Sequence, residues 1–341
     1  MRYSPQLDGL RALAILMVFA HHAFHVPLLW CGVDLFFILS GYLITGILLR
    51  DRERLSFGQT LKRFYLRRAE RILPAYALCM LLLVVLLPEN WSRLWPFYAF
   101  FLQNVPYAFR WIGGNALVPL WSLAVEQHFY LVWPLLVFFL PRRWLVISMA
   151  ALLVGVPILR GLCTPMFAQP EPIYCLTPFR IDAMAAGALA ALWLPQCKPS
   201  SAIRAAQLSM FIGLLAYVIL GVHPWFRRPA NTVAFNSLGY SLNILVLGGL
   251  FVWVRSVESG LIYRFFASAP MRGLGRISYA FYLLHMLILE HVQYRLGPLA
   301  TPPVAFAVTV LAATLSWFAL EKPVLSLGLG RKQVSPPPTP A

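Results

Sequence analysis

The stretch RALAILMVFAHH, residues 11–22, has an arginine at its start, two histidines at its end and an apolar run between them. Such a run is typical of a helix that crosses a membrane. Ionisable side chains inside a membrane helix are costly, so they are candidates for a functional role by default. Arg11, His21 and His22, with His25 close behind, therefore make this helix a candidate for a reaction centre.

The rest of the chain has the composition of a polytopic membrane protein. Its 341 residues are 60% hydrophobic and only 12% charged, and the mean hydropathy is +0.71. Many apolar stretches of about 20 residues predict an all-α fold, a polytopic bundle of membrane helices. Ten spans are predicted, near residues 8–28, 32–50, 72–88, 119–140, 144–162, 178–195, 205–222, 237–255, 278–296 and 303–322.

The positive charge of the chain indicates its orientation rather than a nucleic-acid partner. The net charge is +16, but the basic residues lie between apolar runs, where cytoplasmic loops carry Lys and Arg. The basic segment 50–71 places the N-terminus inside. If 89–118 is an external re-entrant or interfacial element, the later basic loops also fall inside. We therefore predict a multi-pass protein of the cell (inner) membrane with both termini cytoplasmic.

The domain organisation is simple. Residues 1–328 are predicted to form one membrane domain. The segment 329–341 is rich in proline and is predicted to be a disordered cytoplasmic tail.

Two predicted helices bring a histidine and a carboxylate to similar depth. Arg11 and His22 lie on nearly the same helical face, about 16 Å apart along the axis. Asp34 opens the second helix, GVDLFFILSGYLIT (32–45), after a short turn. A carboxylate beside an imidazole fixes its tautomer and stabilises its protonated form. The pair is typical of a general base with its orienting group, and a structural ion pair is the alternative.

A basic ridge precedes the third span. In FYLRRAERILPAY (64–76), Arg67, Arg68 and Arg71 fall on neighbouring turns at the predicted inner surface. An arginine guanidinium can donate two parallel hydrogen bonds to a phosphate group, so the ridge could hold a phosphorylated ligand. Contact with anionic lipid is the alternative.

Three further stretches place polar groups inside predicted spans. LWSLAVEQHFYLVWPL (120–135) aligns Ser122, Glu126 and Tyr130 on one face, and RISYAFYLLH (276–285) ends at His285. RIDAMAAGALAA (180–191) begins with Arg180, and its small residues make a smooth face that a helix or a chain-like ligand could approach. Each polar group is a candidate for function or for contact between helices.

Together these segments resemble the acyltransferase-3 family of integral-membrane acyltransferases, over residue 7 to about 323. The family's arginine–ten residues–histidine pattern falls on Arg11 and His22, and its arginine–two residues–arginine pattern falls on Arg68 and Arg71. The resemblance implies transfer of an acyl group, usually acetyl from acetyl-CoA, to a hydroxyl of a carbohydrate, with His22 essential. Many relatives carry an extra helix and an external hydrolase-like domain, and this chain is expected to be a stand-alone form.

The predicted mechanism divides the residues between the two sides of the membrane. Acyl-CoA docks from the cytoplasm, and its predicted binding residues are Arg11, Arg67, Arg68 and Arg71. The predicted catalytic residues are His22, Asp34 and Glu126. The predicted substrate-binding residues are Arg180, Ser122, Tyr130 and His285. Glu126 and Arg180 are expected to position the acceptor or the developing oxyanion.

The expected partners are acyl-CoA, a carbohydrate or glycolipid acceptor and membrane lipid, with no metal and no nucleic acid. The sequence leaves open a homo-oligomer, and it leaves open an acyl-histidine intermediate in place of direct transfer. The alternative function is a proton-coupled transporter of a small or glycan-like solute, in which the same buried groups relay protons. The sequence shows no inverted repeat, which disfavours that alternative.

Overall fold

The computed structural model describes residues 4–112 and 114–328, and within those ranges the chain is helical and has no strand. The predicted all-α polytopic bundle is confirmed. The tail predicted over 329–341 lies outside the described residues. The helices are α1 (Pro5–Phe24), α2 (Gly32–Arg52), α3 (Phe57–Leu86), α4 (Trp91–Ala99), α5 (Asn104–Ala108), α6 (Leu120–Phe139), α7 (Arg142–Cys163), α8 (Glu171–Cys175), α9 (Ile181–Trp193), α10 (Pro199–Gly221), α11 (Tyr240–Ser256), α12 (Gly260–Phe266), α13 (Ala269–Gln293), α14 (Thr301–Ser316) and α15 (Lys322–Leu327).

Within the described residues, eight helices are long and apolar enough to cross a membrane, against ten predicted spans. The two predicted spans outside this set are 178–195 and 278–296. The first corresponds to α9, which has only 13 residues and packs between α2, α7 and α11. The second falls in α13, which has 25 residues but carries His285, Glu290 and other polar groups. Neighbouring helices surround both, so neither needs a continuous apolar surface.

The centre of the bundle is α2, the most buried of the eight candidate spans. It packs most extensively against α9, and glycines on both helices allow the approach. A side chain at Gly41 would collide with the backbone of Met184, and one at Gly187 would collide with the backbone of Ile38. The smooth face predicted on α9 therefore receives a helix, since small residues let backbones come close.

Helix α3 extends beyond the apolar layer at its basic end. Its 30 residues span about 45 Å, whereas the hydrocarbon core of a bilayer is about 30 Å thick. The helix begins with a capping box, in which the Ser56 hydroxyl accepts from the Gln59 backbone and the Gln59 side chain accepts from the Ser56 backbone. This start places the arginine ridge in the first half of the helix, next to the membrane surface.

The segment 89–118 does not cross the bundle. It holds α4 and α5, of nine and five residues, which are too short to span. Asn104 anchors it by donating to the carbonyl of Cys175 and to the hydroxyl of Thr177, both at 3.3 Å. This agrees with the predicted re-entrant or interfacial element, and the segment covers the end of the bundle at which His22 lies.

Candidate active site

A pair of histidines joins α1 to α13. His22, in the last turn of α1, has its Nδ1 3.0 Å from Nε2 of His285. The two rings lie 5.1 Å apart between centroids. His285 is fully buried, whereas His22 is partly exposed to a cavity. The contact exists because α1 and α13 pack along their length.

The hydrogen bonds of this pair determine which nitrogen atoms carry protons. Nδ1 of His285 donates to the carbonyl oxygen of Tyr282 at 2.7 Å. A neutral imidazole has one donor and one acceptor nitrogen, so Nε2 of His285 accepts. Nδ1 of His22 must then be the donor, which leaves Nε2 of His22 with a free lone pair. This tautomer is the one a general base needs.

The cavity around His22 has a volume of about 210 Å³. Half of its lining residues carry aromatic rings when the two histidines are included, and the α4–α6 connection closes one side. Its aromatic and polar lining residues are His21, His22, Trp30, Tyr107, Asn115, Trp121, Tyr174, Arg228 and Tyr282. Apolar walls with a few placed polar groups are the usual construction of a small-molecule site.

A second cavity, of about 100 Å³, lies on the arginine side of the bundle. Arg11 reaches it from α1, and Arg68 and Arg71 reach it from α3. The sequence predicted that Arg11, Arg67, Arg68 and Arg71 act together, and the structure brings three of these four residues to one cavity. Arg67 points elsewhere on α3 and is not among the residues that line this cavity in the described part of the chain.

The two cavities share a wall made of Val33 and Tyr282. The Tyr282 hydroxyl donates to the carbonyl of Pro119 at 2.9 Å and lies 2.7 Å from the Ser122 hydroxyl. The backbone carbonyl of the same tyrosine accepts from His285. Tyr282 therefore connects the histidine pair to the boundary between the cavities.

The predicted pairing of His22 with Asp34 is wrong. Asp34 points from α2 toward α9 and α11, where its carboxylate accepts from Arg180 and, at 3.2 Å, from the Asn243 amide. Only 1–2% of the Arg180 and Asp34 side-chain surfaces is exposed. His22 instead faces α13, where it contacts His285.

Arg180 is enclosed by aromatic rings rather than open to the cavity. Its guanidinium carbon lies 4.6 Å from the ring centre of Tyr240, 5.3 Å from that of Tyr174 and 5.5 Å from that of Trp121. A guanidinium over aromatic faces is stabilised by cation–π attraction. Tyr174 and Trp121 also line the His22 cavity, so Arg180 packs against two of the rings that form the wall of that cavity.

Glu126 and Tyr130 lie beside Arg11, Arg68 and Arg71 rather than beside Arg180. Both line the arginine cavity, and the guanidinium carbon of Arg68 is 5.9 Å from the Tyr130 ring centre. The Tyr130 hydroxyl is 2.5 Å from that of Ser40. The expectation that Glu126 and Arg180 work together is therefore corrected, because Glu126 leaves α6 about 140° around the helix from Trp121, which faces Arg180.

Sequence reasoning missed Arg228. It lies in the loop after α10, and its guanidinium carbon is 4.4 Å from the Tyr174 ring centre and 5.5 Å from that of Trp30. It lines the same cavity as His22 and brings a positive charge to it. The only local signal was the Arg227–Arg228 pair in a loop that would otherwise carry few positive charges on the outer side.

The fold and the two cavities define a class: an integral-membrane protein with a hydrogen-bonded histidine pair at one cavity and three arginines at the other. Comparison with known proteins identifies the family of the chain. The chain matches the acyltransferase-3 family, described as an acyltransferase domain, over residues 4–321, and it belongs to that family. The resemblance predicted from the sequence is confirmed.

Two curated relatives are bacterial O-acetyltransferases. The chain is 30% identical to the peptidoglycan O-acetyltransferase OatA of Listeria monocytogenes, over 96% of this chain and 56% of the relative. It is 29% identical to the O-acetyltransferase OatA of Staphylococcus aureus, over 96% of this chain and 58% of the relative. The chain therefore spans little more than half the length of these relatives. No solved structure matches it.

Proposed function

We propose that this chain is a membrane O-acetyltransferase that moves an acetyl group from acetyl-CoA to a hydroxyl of a cell-envelope carbohydrate. The observation that carries the proposal is the pair of adjoining cavities, one with Arg11, Arg68 and Arg71 and the other with His22. The names of the relatives make peptidoglycan the first acceptor to test.

The donor would bind in the arginine cavity. Guanidinium groups hold phosphates through charge-assisted hydrogen bonds, and CoA carries several phosphate groups. Along α1, Arg11 and His22 are about 16 Å apart. The extended arm of CoA would cover this distance past Tyr282 and Val33, which separate the two cavities. The positive-inside rule assigns the arginine end to the cytoplasm.

The acceptor would bind in the cavity that contains His22. Nε2 of His22 takes the proton of the acceptor hydroxyl, and the hydroxyl oxygen attacks the thioester carbonyl. The tetrahedral intermediate collapses, its carbon–sulfur bond breaks, and the proton returns from His22 to the CoA thiolate. Arg228 is the cation best placed to stabilise the developing oxyanion or an anionic group on the acceptor. Asp34 and Arg180 would act through the cavity wall instead of touching substrate.

The proposed activity is tested with purified protein in nanodiscs, supplied with acetyl-CoA. Thiol release that requires peptidoglycan fragments or another glycan supports the transferase. A transporter would instead move solute across liposomes without consuming a thioester, and an acyl-enzyme trapped before acceptor is added would replace direct transfer with a two-step reaction.

The arginine cavity makes a prediction about donor binding. Arg68→Gln and Arg71→Gln should each raise the KM for acetyl-CoA about tenfold or more, because a hydrogen bond to a charged group contributes about 1.5–3 kcal/mol. Arg67→Gln is the matched control, since Arg67 lies on the same helix but outside the cavity lining. Equal KM values for all three variants would count against a donor site in this cavity.

His285 is predicted to be a positioning residue. His285→Leu removes the atom that accepts from His22, and the rate of acetyl transfer should fall about 10- to 100-fold, as for other groups that orient a functional histidine. His285→Gln keeps an acceptor of similar size and should recover part of the rate. If the Gln and Leu variants lose activity equally while both remain folded, the hydrogen bond has no role in catalysis.

A further inference from the structure

A large cavity lies away from the candidate active site. It is a crevice of about 1040 Å³ between α7, α9, α10 and α11. Its walls are mainly aliphatic, with Val146, Ile147, Leu189, Ile244, Leu245 and Val252 among them. Sites that hold drug-sized ligands are about 300–1,000 Å³, so the crevice is large enough for a long apolar chain.

The two ends of the crevice differ in charge. Asp182 and Ser241 close one end, and both are already bonded to Arg160, at 2.8 Å and 3.1 Å. Arg142 and Arg143 stand at the other end. From Asp182 to Trp193, which both line the crevice, α9 rises about 16 Å. This length is close to the thickness of one leaflet, because the hydrocarbon core of a bilayer is about 30 Å thick and contains two leaflets.

The arginine end has the features of a phosphate site. Arg142 donates to the carbonyl of Leu192 near the end of α9, which holds its guanidinium at the opening. Arg143 is held over the ring of Trp144, at 5.2 Å from its centre. Both arginines open α7, and no side chain caps the first turn of this helix. Free backbone N–H groups at a helix start add to the attraction for an anion.

We propose that this crevice binds one anionic phospholipid of the cytoplasmic leaflet. Its phosphate lies at Arg142 and Arg143, and an acyl chain runs along α9 and α11 toward Asp182. The positive charge at one end selects a headgroup with a net negative charge, and the aliphatic walls select the acyl chain. Such a lipid lies against α9 beside its contact with α2, and thus supports the helix that begins directly after Arg180.

Two adjacent glycines on α11 differ in the space beside them, and only one of them offers a way to fill the crevice. A side chain at Gly249 would collide with α10 at Ala206 and Met210. A side chain at Gly248 would meet no atom within 4 Å, although Gly248 lines the crevice. Gly248→Leu should therefore occupy the space of the acyl chain without disturbing the packing of helices. Gly155→Leu is the matched control, because Gly155 is exposed on α7, has open space and lies outside the crevice lining.

The test is native mass spectrometry of the purified full chain, titrated with palmitoyl-oleoyl phosphatidylglycerol and separately with phosphatidylcholine. Wild type and Gly155→Leu should bind one phosphatidylglycerol more tightly than phosphatidylcholine, and Gly248→Leu should lose this binding. Arg142→Gln with Arg143→Gln should weaken phosphatidylglycerol binding about 25-fold, at about fivefold per charge near a membrane surface.

Two results would overturn the proposal. One is equal affinity of the wild type for the two lipids, and the other is equal lipid binding by Gly248→Leu and Gly155→Leu. Should Gly248→Leu fail to fold, the arginine variant decides alone, because unchanged phosphatidylglycerol affinity in that variant contradicts a phosphate site at this end.

Discussion

His22→Ala is expected to lower the rate of acetyl transfer by about 10²- to 10⁴-fold, the usual contribution of a positioned general base. The expectation rests on the hydrogen-bond chain from His22 through His285 to the Tyr282 carbonyl. That chain leaves one imidazole nitrogen of His22 free to take a proton. The measurement is acceptor-dependent thiol release from acetyl-CoA, at saturating concentrations of both substrates.

The control for this variant is a neighbouring histidine. His25 ends α1 in the left-handed region, at φ 53°, and is exposed outside the His22–His285 pair. His25→Asn suits that backbone conformation, which asparagine tolerates, and should leave the rate close to that of wild type. Wild-type activity in His22→Ala would remove His22 from the chemistry. Equal losses in both variants would indicate damage to the end of α1 instead.

Asp34→Ala is expected to destabilise the fold by about 3–5 kcal/mol, because it leaves the buried Arg180 charge without its carboxylate. The measurement is the free energy of unfolding in detergent, from a denaturant titration. A second change, Arg180→Met, removes the uncompensated charge from the Asp34→Ala background. The double variant should recover much of the stability, since apolar residues often replace a buried ion pair at little cost.

An exposed ion pair provides the comparison. Arg110 and Glu171 lie 2.7 Å apart, but 56% of the Arg110 side chain is exposed. Arg110→Gln should therefore leave the free energy of unfolding close to that of the wild type, because water and salt screen an exposed ion pair. Two results would contradict the stabilisation of the buried Arg180 charge by Asp34. One is a loss of stability in Asp34→Ala no larger than that in Arg110→Gln. The other is a double variant that is less stable than Asp34→Ala.

Features that depend on local periodicity could be predicted from the sequence. Apolar runs predict helices, so the all-α bundle and most of its spans follow from composition and length. Arg68 and Arg71 are three residues apart on one helix, and the 3.6-residue period alone brings them to one side. Arg11 joins them because it lies at the same end of the membrane, which the loop charges indicate.

Features that depend on which helices become neighbours could not be predicted in this way. His285 is 263 residues from His22, and no local pattern says that α13 packs on α1. Asp34 is close to His22 in the chain, but the short turn between α1 and α2 leaves its direction undetermined. Arg228 comes from a loop, where neither period nor hydropathy indicates where a side chain points.

The structure also changes which of the predicted residues lie together. Glu126 and Tyr130 line the cavity that contains Arg11, Arg68 and Arg71, whereas Asp34 and Arg180 lie behind Trp121 and Tyr174. In the proposed reaction His22 and Arg228 would contact the acceptor. In that reaction the two substrates would approach from opposite ends of the bundle and meet at Tyr282.

Transfer across the membrane is the most direct test of that claim. The protein is reconstituted in sealed vesicles, with peptidoglycan disaccharide fragments outside and acetyl-CoA either inside only or outside only. Vesicles opened with detergent serve as the positive control. We predict acetylated fragments when acetyl-CoA is sealed inside and none when both substrates are outside. Acetylation at the same rate with both substrates outside empty vesicles would contradict an approach from opposite sides.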